Sequence, residues 1–152
     1  MALPKLPTPI SRWEFDQDLK DSIGAAHGKL VGDAKLDNGA LVVDGKSYVE
    51  TAVLEHSIKE KTLEAWVQVD TLDQAGGGVI SIQTTDGVVF DAIVFGEREP
   101  KRWMAGSNGF ARTQSFQATD ETETTQPVHF AIVYQADGTI TGYRNGKLYG
   151  KA

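Results

Sequence analysis

The stretch VVFDAIVFGEREPKRWMAGSNGFARTQSF, from Val88 to Phe116, decides the fold. Two apolar runs flank a charged turn, and Pro100 in that turn cannot donate a ladder hydrogen bond. The pattern therefore predicts a long β-hairpin or two neighbouring strands. By the period of two, one face of the first strand carries carboxylates at both ends of an apolar row: Asp91, Ile93, Phe95 and Glu97.

The same hairpin is the main candidate for a binding site. Guanidinium forks, amides and ring faces bind polar, flat ligands such as a sugar or a peptide. The predicted ligand-binding set is Trp103, Arg102, Arg98, Asn108, Arg112, Asp91 and Glu97. The alternative is that Trp103 and Phe110 belong to the core, the charges pair at the surface, and nothing binds.

Length and charge limit the function classes. The chain has 152 residues, which suits one domain, and we predict an extended lead-in over 1–11 followed by a single domain over 12–152. The net charge of −6 disfavours nucleic acid and anionic membrane surfaces as partners. No apolar run approaches the roughly 20 residues of a membrane helix, so we expect no membrane insertion. Cysteine is absent, which excludes disulfides and thiolate chemistry.

The rest of the chain also reads as short strands joined by glycine turns. Asp86-Gly87, Asp137-Gly138 and Asn145-Gly146 each predict a turn between strands, and Asp44-Gly45 predicts a hairpin within 39–51. Strands of this length with such turns are typical of an all-β sandwich or barrel. Thr62 to Val69 alternates cleanly, which places Trp66, Glu64 and Gln68 together on a second candidate face. We nevertheless expect Trp66 to pack under a loop or against the other sheet.

The order of several motifs resembles that of the laminin-G-like, concanavalin A-like jelly-roll superfamily. The matching pieces are W-x-F-D (13–16), D-S-x-G-x-x-H-G (21–28), G-A-L-x-x-D-G-x-x-Y-V (39–49), T-L-E-A-W-V (62–67), G-G-x-I-S (77–81) and Y-R-N-G-K-x-Y-G (143–150). The resemblance implies an all-β, two-sheet antiparallel jelly-roll sandwich. The run FDAIVFGEREPKRWMAGSNGF is most similar to laminin-G-like domains of large planctomycete proteins that also carry a cytochrome c-like haem domain.

Such domains usually continue beyond the N-G-x-x-Y-G hairpin with further strands. The sequence ends at Lys151-Ala152, so we expect the closing strands to come from another segment, a second chain or self-association. An uncapped sheet edge is otherwise an aggregation risk.

The sequence contains no catalytic motif and offers one candidate metal site. Glycoside hydrolases of this fold use two carboxylates at even spacing on one strand, and no such run is present, so hydrolysis is the weakest alternative. His27, His56 and His129 lack the spacing of a zinc site. Asp16, Asp18 and Asp21 cluster in an early loop, and many relatives hold a structural calcium in this region, so these three are the predicted calcium ligands. The alternative is a solvated turn.

The sequence therefore predicts a non-catalytic carbohydrate-binding or adhesion module of a larger exported bacterial protein, periplasmic or at the cell surface. The competing hypothesis is a structural or protein-interaction module that is completed by a β-strand from another segment or chain. The resemblance alone does not establish sugar binding, because this fold hosts many functions.

Overall fold

A computed structural model describes residues 7–152, and its regular structure is β-strand apart from one short 3-10 turn at Asn108–Phe110. The strands are β1 (Gly28–Val31), β2 (Lys35–Asp37), β3 (Ala40–Val42), β4 (Tyr48–Thr51), β5 (Lys61–Val67), β6 (Gly78–Gln83), β7 (Phe90–Phe95), β8 (Trp103–Ser107), β9 (Val128–Tyr134), β10 (Ile140–Arg144) and β11 (Lys147–Lys151). Every pair of hydrogen-bonded strands is antiparallel. The predicted all-β, antiparallel class is confirmed. Within residues 7–152 no helix is long and apolar enough to cross a membrane.

The chain forms two compact units, Met1–His56 and Ser57–Ala152, which we call unit 1 and unit 2. Unit 1 contains a β1–β4 ladder and a β2–β3 ladder. The predicted lead-in over 1–11 falls partly outside the described residues. The single domain over 12–152 stays a prediction.

One hairpin of unit 1 differs from the prediction. The strands on either side of Asp44-Gly45 do not pair with each other, because β3 pairs with β2 and β4 pairs with β1. The tight turn is instead Asn38-Gly39, whose φ angles of 48° and 74° suit a two-residue hairpin of type I′. The Asp44 carboxylate accepts hydrogen bonds from the backbone N–H groups of Lys46 and Ser47, which makes a local turn rather than a hairpin.

Unit 2 consists of two sheets with a shared apolar core. One has the strand order β6-β7-β8 and the other β11-β10-β9-β5. The predicted long hairpin is confirmed as β7 and β8, in which Asp91 lies opposite Ser107 and Phe95 lies opposite Trp103. Gly96, with a φ of 69°, ends the alternation directly after Phe95, so Glu97 does not continue the face that Asp91 begins.

The core of unit 2 is built from the inward side chains of both sheets. Ile93 and Phe95 of β7 belong to the same buried cluster as Phe130 and Ile132 of β9. The Trp103 ring stacks on Phe130 with their centroids 5.1 Å apart, and Phe95 packs 4.7 Å from Trp103. This cluster fixes which face of each strand points outward.

A loop segment after β8 lies over the inner side of β10 and β11. Gly142 and Gly150 face each other in the ladder, and Phe116 packs against both positions. A Cβ atom on Gly150 would collide with the Phe116 carbonyl oxygen, so the absence of a side chain is required for this close approach.

Candidate functional site

The residues predicted to form one binding site on the hairpin do not lie together in one place. Asp91, Asn108 and Arg112 come together, because the Arg112 guanidinium donates to Asp91 at 2.6 Å and to the Asn108 side chain at 2.9 Å. Arg102 pairs instead with Asp120, at 2.7 Å, and with Glu99. The set of seven is therefore not one cluster.

Two further members of the set lie near the tip of the hairpin. The Arg98 guanidinium lies over the ring of Phe110, 5.2 Å from the ring centroid. Glu97 is exposed in the turn. Phe110 is 49% exposed and Trp103 is 1% exposed, so the alternative that both belong to the core is right for Trp103 and wrong for Phe110.

The predicted ligand-binding role of Trp103 is wrong. Its side chain is 1% exposed, so its ring faces are unavailable to a ligand. The indole Nε1–H donates to the Glu121 carboxylate at 2.7 Å, and Glu121 also accepts two hydrogen bonds from Arg144. These bonds raise the pKa of Arg144 against the opposing effect of burial. The alternation within β8 turns Trp103 inward, and Glu121 satisfies the indole donor that burial would otherwise leave unpaired.

Asp91 is the centre of a partly buried ion cluster at one end of unit 2. Its carboxylate contacts Lys61 Nζ at 2.6 Å and Arg112 Nε at 2.6 Å. Lys61 also lies over the Tyr134 ring, 4.5 Å from the centroid. Burial and the negative charge of Asp91 raise the pKa of Tyr134, although Arg112 acts in the opposite direction. Because the Asp91 carboxylate is paired with two cations, it can lie at the end of the apolar core without an uncompensated charge.

The outer face of the four-stranded sheet carries a different set of groups. The apolar residues of β5 point inward, so the face between them points to solvent. In the ladder, Trp66 lies opposite His129, and Glu64 lies opposite Ala131. On the other side of β9, Tyr143 also lies opposite Ala131, and Leu148 of β11 lies opposite Tyr143. Four strands thus contribute side chains to one surface, which we call the outer face.

Trp66 is the most exposed aromatic ring of the outer face. Its side chain is 72% exposed, and its ring centroid is 5.3 Å from that of His129. His129 Nε2 is in turn 3.4 Å from a carboxylate oxygen of Glu64. His129 and Glu64 therefore contact one side of the Trp66 indole, while the rest of the ring is exposed to solvent. The expectation that Trp66 packs under a loop or against the other sheet is wrong.

The comparisons with known proteins concern most of the chain. The family model described as concanavalin A-like lectin/glucanases superfamily, of the Laminin_G_3 type, matches residues 43–152. The chain belongs to this superfamily. No curated protein and no solved structure matches it. The matched residues include all of unit 2 and the last strand of unit 1, so the outer face belongs to the superfamily domain. The narrower likeness to planctomycete proteins stays a prediction.

The three aspartates predicted as calcium ligands differ in their surroundings. Asp21 is 4% exposed, and its two oxygens accept hydrogen bonds from the backbone N–H groups of Arg12, Ile23, Gly24 and Ala26. Asp16 and Asp18 are exposed, and Asp18 accepts from the N–H of Lys20. N–H groups occupy lone pairs of Asp21 that a calcium ion would need, and no group of three or more His, Cys, Asp or Glu side chains that could hold a metal ion is found within residues 7–152. Calcium binding stays a prediction. The acidic loop is thus organised by a buried carboxylate.

Sequence patterns contained the signal for Trp66 but none for the ion clusters. The alternation Leu63, Ala65, Val67 faces the core, which by itself places Trp66 on the opposite face. Lys61 reaches Asp91 from a strand that is far away in the sequence, and Lys61 in turn lies over the ring of Tyr134. Such pairings follow from strand order, which local patterning does not specify.

Proposed function

We propose that this protein is a non-catalytic carbohydrate-binding or adhesion module whose ligand stacks on Trp66. The observation that carries the proposal is the 72% exposure of an indole ring on a sheet face of a concanavalin A-like superfamily domain. A large exposed ring costs free energy in water, and a sugar ring offers C–H groups that pack against its face.

Polar groups beside the ring supply the means to orient a sugar. The Glu64 side chain is 58% exposed and accepts hydrogen bonds, and His129 lies between Glu64 and the indole. Gln68 donates to the Thr124 carbonyl at 2.8 Å, which ties the loop that precedes β9 to the end of β5 beside Trp66. A ring flanked by a few fixed polar groups is the usual composition of a small-ligand site.

The absence of catalysis is part of the proposal, and the state of the carboxylates supports it. Asp91 and Glu121 are held in ion pairs with cations, and Glu64 contacts His129. Hydrolysis of a glycosidic bond requires two carboxyl groups about 5–10 Å apart on either side of the sugar. Beside Trp66 the neighbour of Glu64 is an imidazole, so Glu64 is placed to bind a hydroxyl group.

Affinity electrophoresis tests the proposed function. The wild-type protein, Trp66→Ala and Phe110→Ala are run through native gels that contain soluble polysaccharides, with polysaccharide-free gels as reference. We expect at least one polysaccharide to retard the wild type and Phe110→Ala but not Trp66→Ala. Phe110 is a matched control because it is an exposed aromatic ring on a different part of unit 2. Equal retardation of all three proteins would contradict the role of Trp66.

A second candidate function rests on the edge of the same sheet. Within residues 7–152, β11 pairs with β10 on one side only, and Leu148 on β11 is 61% exposed. An exposed edge strand can accept an extended peptide through its backbone groups. This function predicts retention of a strand-forming protein segment that does not depend on Trp66.

A further inference from the structure

We propose that the ligand of the outer face is a linear, uncharged polysaccharide whose chain runs obliquely from Trp66 to Tyr143 and Leu148. This inference rests on the proposed function and adds the class of ligand and its path. The observations that carry it are the strand register, the exposure of the outward side chains and the charges of the face.

The register gives the length of the path. Trp66 lies on β5, and Tyr143 lies on β10, with β9 between them. Tyr143 is level with Glu64, which is two residues before Trp66 on β5, because both lie opposite Ala131. Since strands are about 4.8 Å apart and rise about 3.3 Å per residue, the two Cα atoms are separated by about 12 Å. That separation exceeds one sugar ring, so a ligand that contacts both aromatic residues contains several rings.

The middle of this path is formed by a small side chain. Ala131 contributes only a methyl group, and its exposure of 7% means that the larger side chains beside it cover it, so a ligand would contact those neighbours. Beyond Tyr143, Leu148 adds an apolar surface that is 61% exposed at the edge of the sheet. An extended chain can therefore contact Trp66 at one end and Tyr143 with Leu148 at the other, above a low central position. A sheet surface suits a chain whose rings lie in a flat ribbon.

The charge near the path selects against acidic sugars. Glu64 lies between Trp66 and the Tyr143 row and presents a carboxylate that is more than half exposed. The whole chain carries a net charge of −6. A uronate or a sulfated sugar would be repelled by both, whereas neutral hydroxyl groups can donate to the carboxylate. The face therefore favours uncharged polysaccharides.

Isothermal titration with oligosaccharides of increasing length tests the inference. The probes are β-1,4-linked glucose and N-acetylglucosamine oligomers from disaccharide to hexasaccharide, with a β-1,4-linked uronate hexasaccharide as the charged probe. We expect the affinity of the wild type to rise about 3- to 10-fold from disaccharide to hexasaccharide, the range of one additional aromatic contact. The uronate probe should bind more weakly than either neutral hexasaccharide.

Variants separate the two ends of the path. Tyr143→Ala should remove the gain with length and leave disaccharide affinity unchanged, and Tyr143→Phe should keep the gain because the ring remains. Leu148→Ala, at an exposed position, provides an independent test if Tyr143→Ala does not fold. Trp66→Ala should lower affinity for every length.

Three results would overturn this inference while leaving the proposed function intact. They are Trp66-dependent binding that is the same at all lengths, a length gain that survives both Tyr143→Ala and Leu148→Ala, and tighter binding of the uronate. Absence of any Trp66-dependent binding would overturn the inference together with the proposed function.

Discussion

The carboxylate of Glu121 joins three parts of unit 2. The carboxylate accepts hydrogen bonds from Trp103 on β8 and from Arg144 on β10. The backbone N–H of Glu121 donates to the Lys101 carbonyl at 2.8 Å. The side chain is 6% exposed. A buried carboxylate with three hydrogen-bond donors stabilises the fold only while all three bonds are present. A buried donor that loses its acceptor cannot bond to water instead, which costs free energy.

Removal of this carboxylate should destabilise the protein strongly. Glu121→Ala leaves the Arg144 charge and the Trp103 N–H without their acceptor, and we expect a loss of about 3 kcal/mol in the free energy of unfolding. Urea denaturation followed by tryptophan fluorescence measures the loss. Glu123→Ala, two residues away and exposed, is the control and should change stability by less than about 0.5 kcal/mol. Similar effects for the two variants would contradict the role given to Glu121.

Asp21 should make unit 1 sensitive to acid. Burial on its own raises the pKa of Asp21, but the N–H donors, Gly24 foremost, together outweigh it and hold the pKa well below its ordinary value of 3.8. A carboxyl group with a lowered pKa binds its proton more readily in the unfolded chain. Its stabilising contribution is therefore complete above the ordinary value and is lost as the pH falls below 3.8 towards the folded pKa.

The test compares wild type with Asp21→Asn across pH 6 to 3, with hydrogen exchange of the amides of residues 22–26 as the readout. Wild-type protection should decline on acidification below about pH 4, whereas Asp21→Asn should be less protected throughout and less dependent on pH. Asp18→Asn, which removes an exposed charge from the same loop, should behave like the wild type. A parallel decline in wild type and Asp21→Asn would show that another group is responsible.

Among the structural elements, the pair β10–β11 depends on glycines for its contact with Phe116. Gly142 and Gly150 lie opposite each other; the ring of Phe116 packs against Gly142, and the carbonyl group and Cβ of Phe116 occupy the space that a side chain at Gly150 would need. Tyr149 packs against Phe116 and Phe130 from the same strand pair. The loop after β8 is therefore attached to the sheet by aromatic packing over a flat stretch of backbone.

A methyl group at this point should be poorly tolerated. Gly150→Ala forces the Phe116 backbone away from β11, and we expect a loss of about 1–3 kcal/mol, the range of overpacked positions. Gly78→Ala is the matched control, because that strand position is also a glycine and its added Cβ would meet open space. Thermal unfolding of both variants measures the difference. Equal melting temperatures would mean that Phe116 adapts without cost.

The strands were predictable from sequence to the extent that local chemistry decides them. Alternation predicted β5 and β7, and the turns Asp137-Gly138 and Asn145-Gly146 lie between β9, β10 and β11 as expected. The hairpin around Asp44-Gly45 was wrong because Asn38-Gly39 is the better two-residue turn and takes β3 as the partner of β2. Two turn signals only six residues apart compete, and the ladder that forms decides between them.

In the molecule as a whole, resistance to local unfolding should be greatest in unit 2, which contains the large buried cluster. The buried cluster of unit 2 contains residues from both of its sheets, including Phe130 and Ile132 on β9, which are fully buried. Residues 52–60, between β4 and β5, contain no strand and are largely exposed. Local opening should therefore differ greatly along the chain.

Hydrogen exchange monitored by mass spectrometry tests this distribution. We expect the peptides that cover β9 to exchange slowest in the protein, because their amides pair with β5 and β10 and lie above the core. Peptides that cover residues 52–60 should exchange fastest. Exchange of β9 at the rate of 52–60 would contradict the assigned core.

The class of the protein was predictable, but the fold does not bring the residues of the predicted hairpin site together. Motif order indicated the concanavalin A-like superfamily, and the family match over 43–152 confirms it. The hairpin site was selected for its residue types, but alternation buries Trp103, and charged residues of the hairpin pair with residues from other parts of the chain, Asp91 with Lys61 and Arg102 with Asp120. Exposure depends on which face a sheet turns to the core, and for Trp66 the apolar neighbours Leu63, Ala65 and Val67 decide it.

The most direct test of the central claim, that saccharides bind on Trp66, is protection of tryptophan fluorescence from iodide quenching. Trp66 is 72% exposed and Trp103 is 1% exposed, so iodide should quench mainly Trp66, with a smaller contribution from the half-buried Trp13. We predict that a polysaccharide that retards the wild type shields this fluorescence and that Trp66→Phe removes the shielded component. Quenching that is unchanged by every polysaccharide, in a protein with a native melting temperature, would contradict the claim.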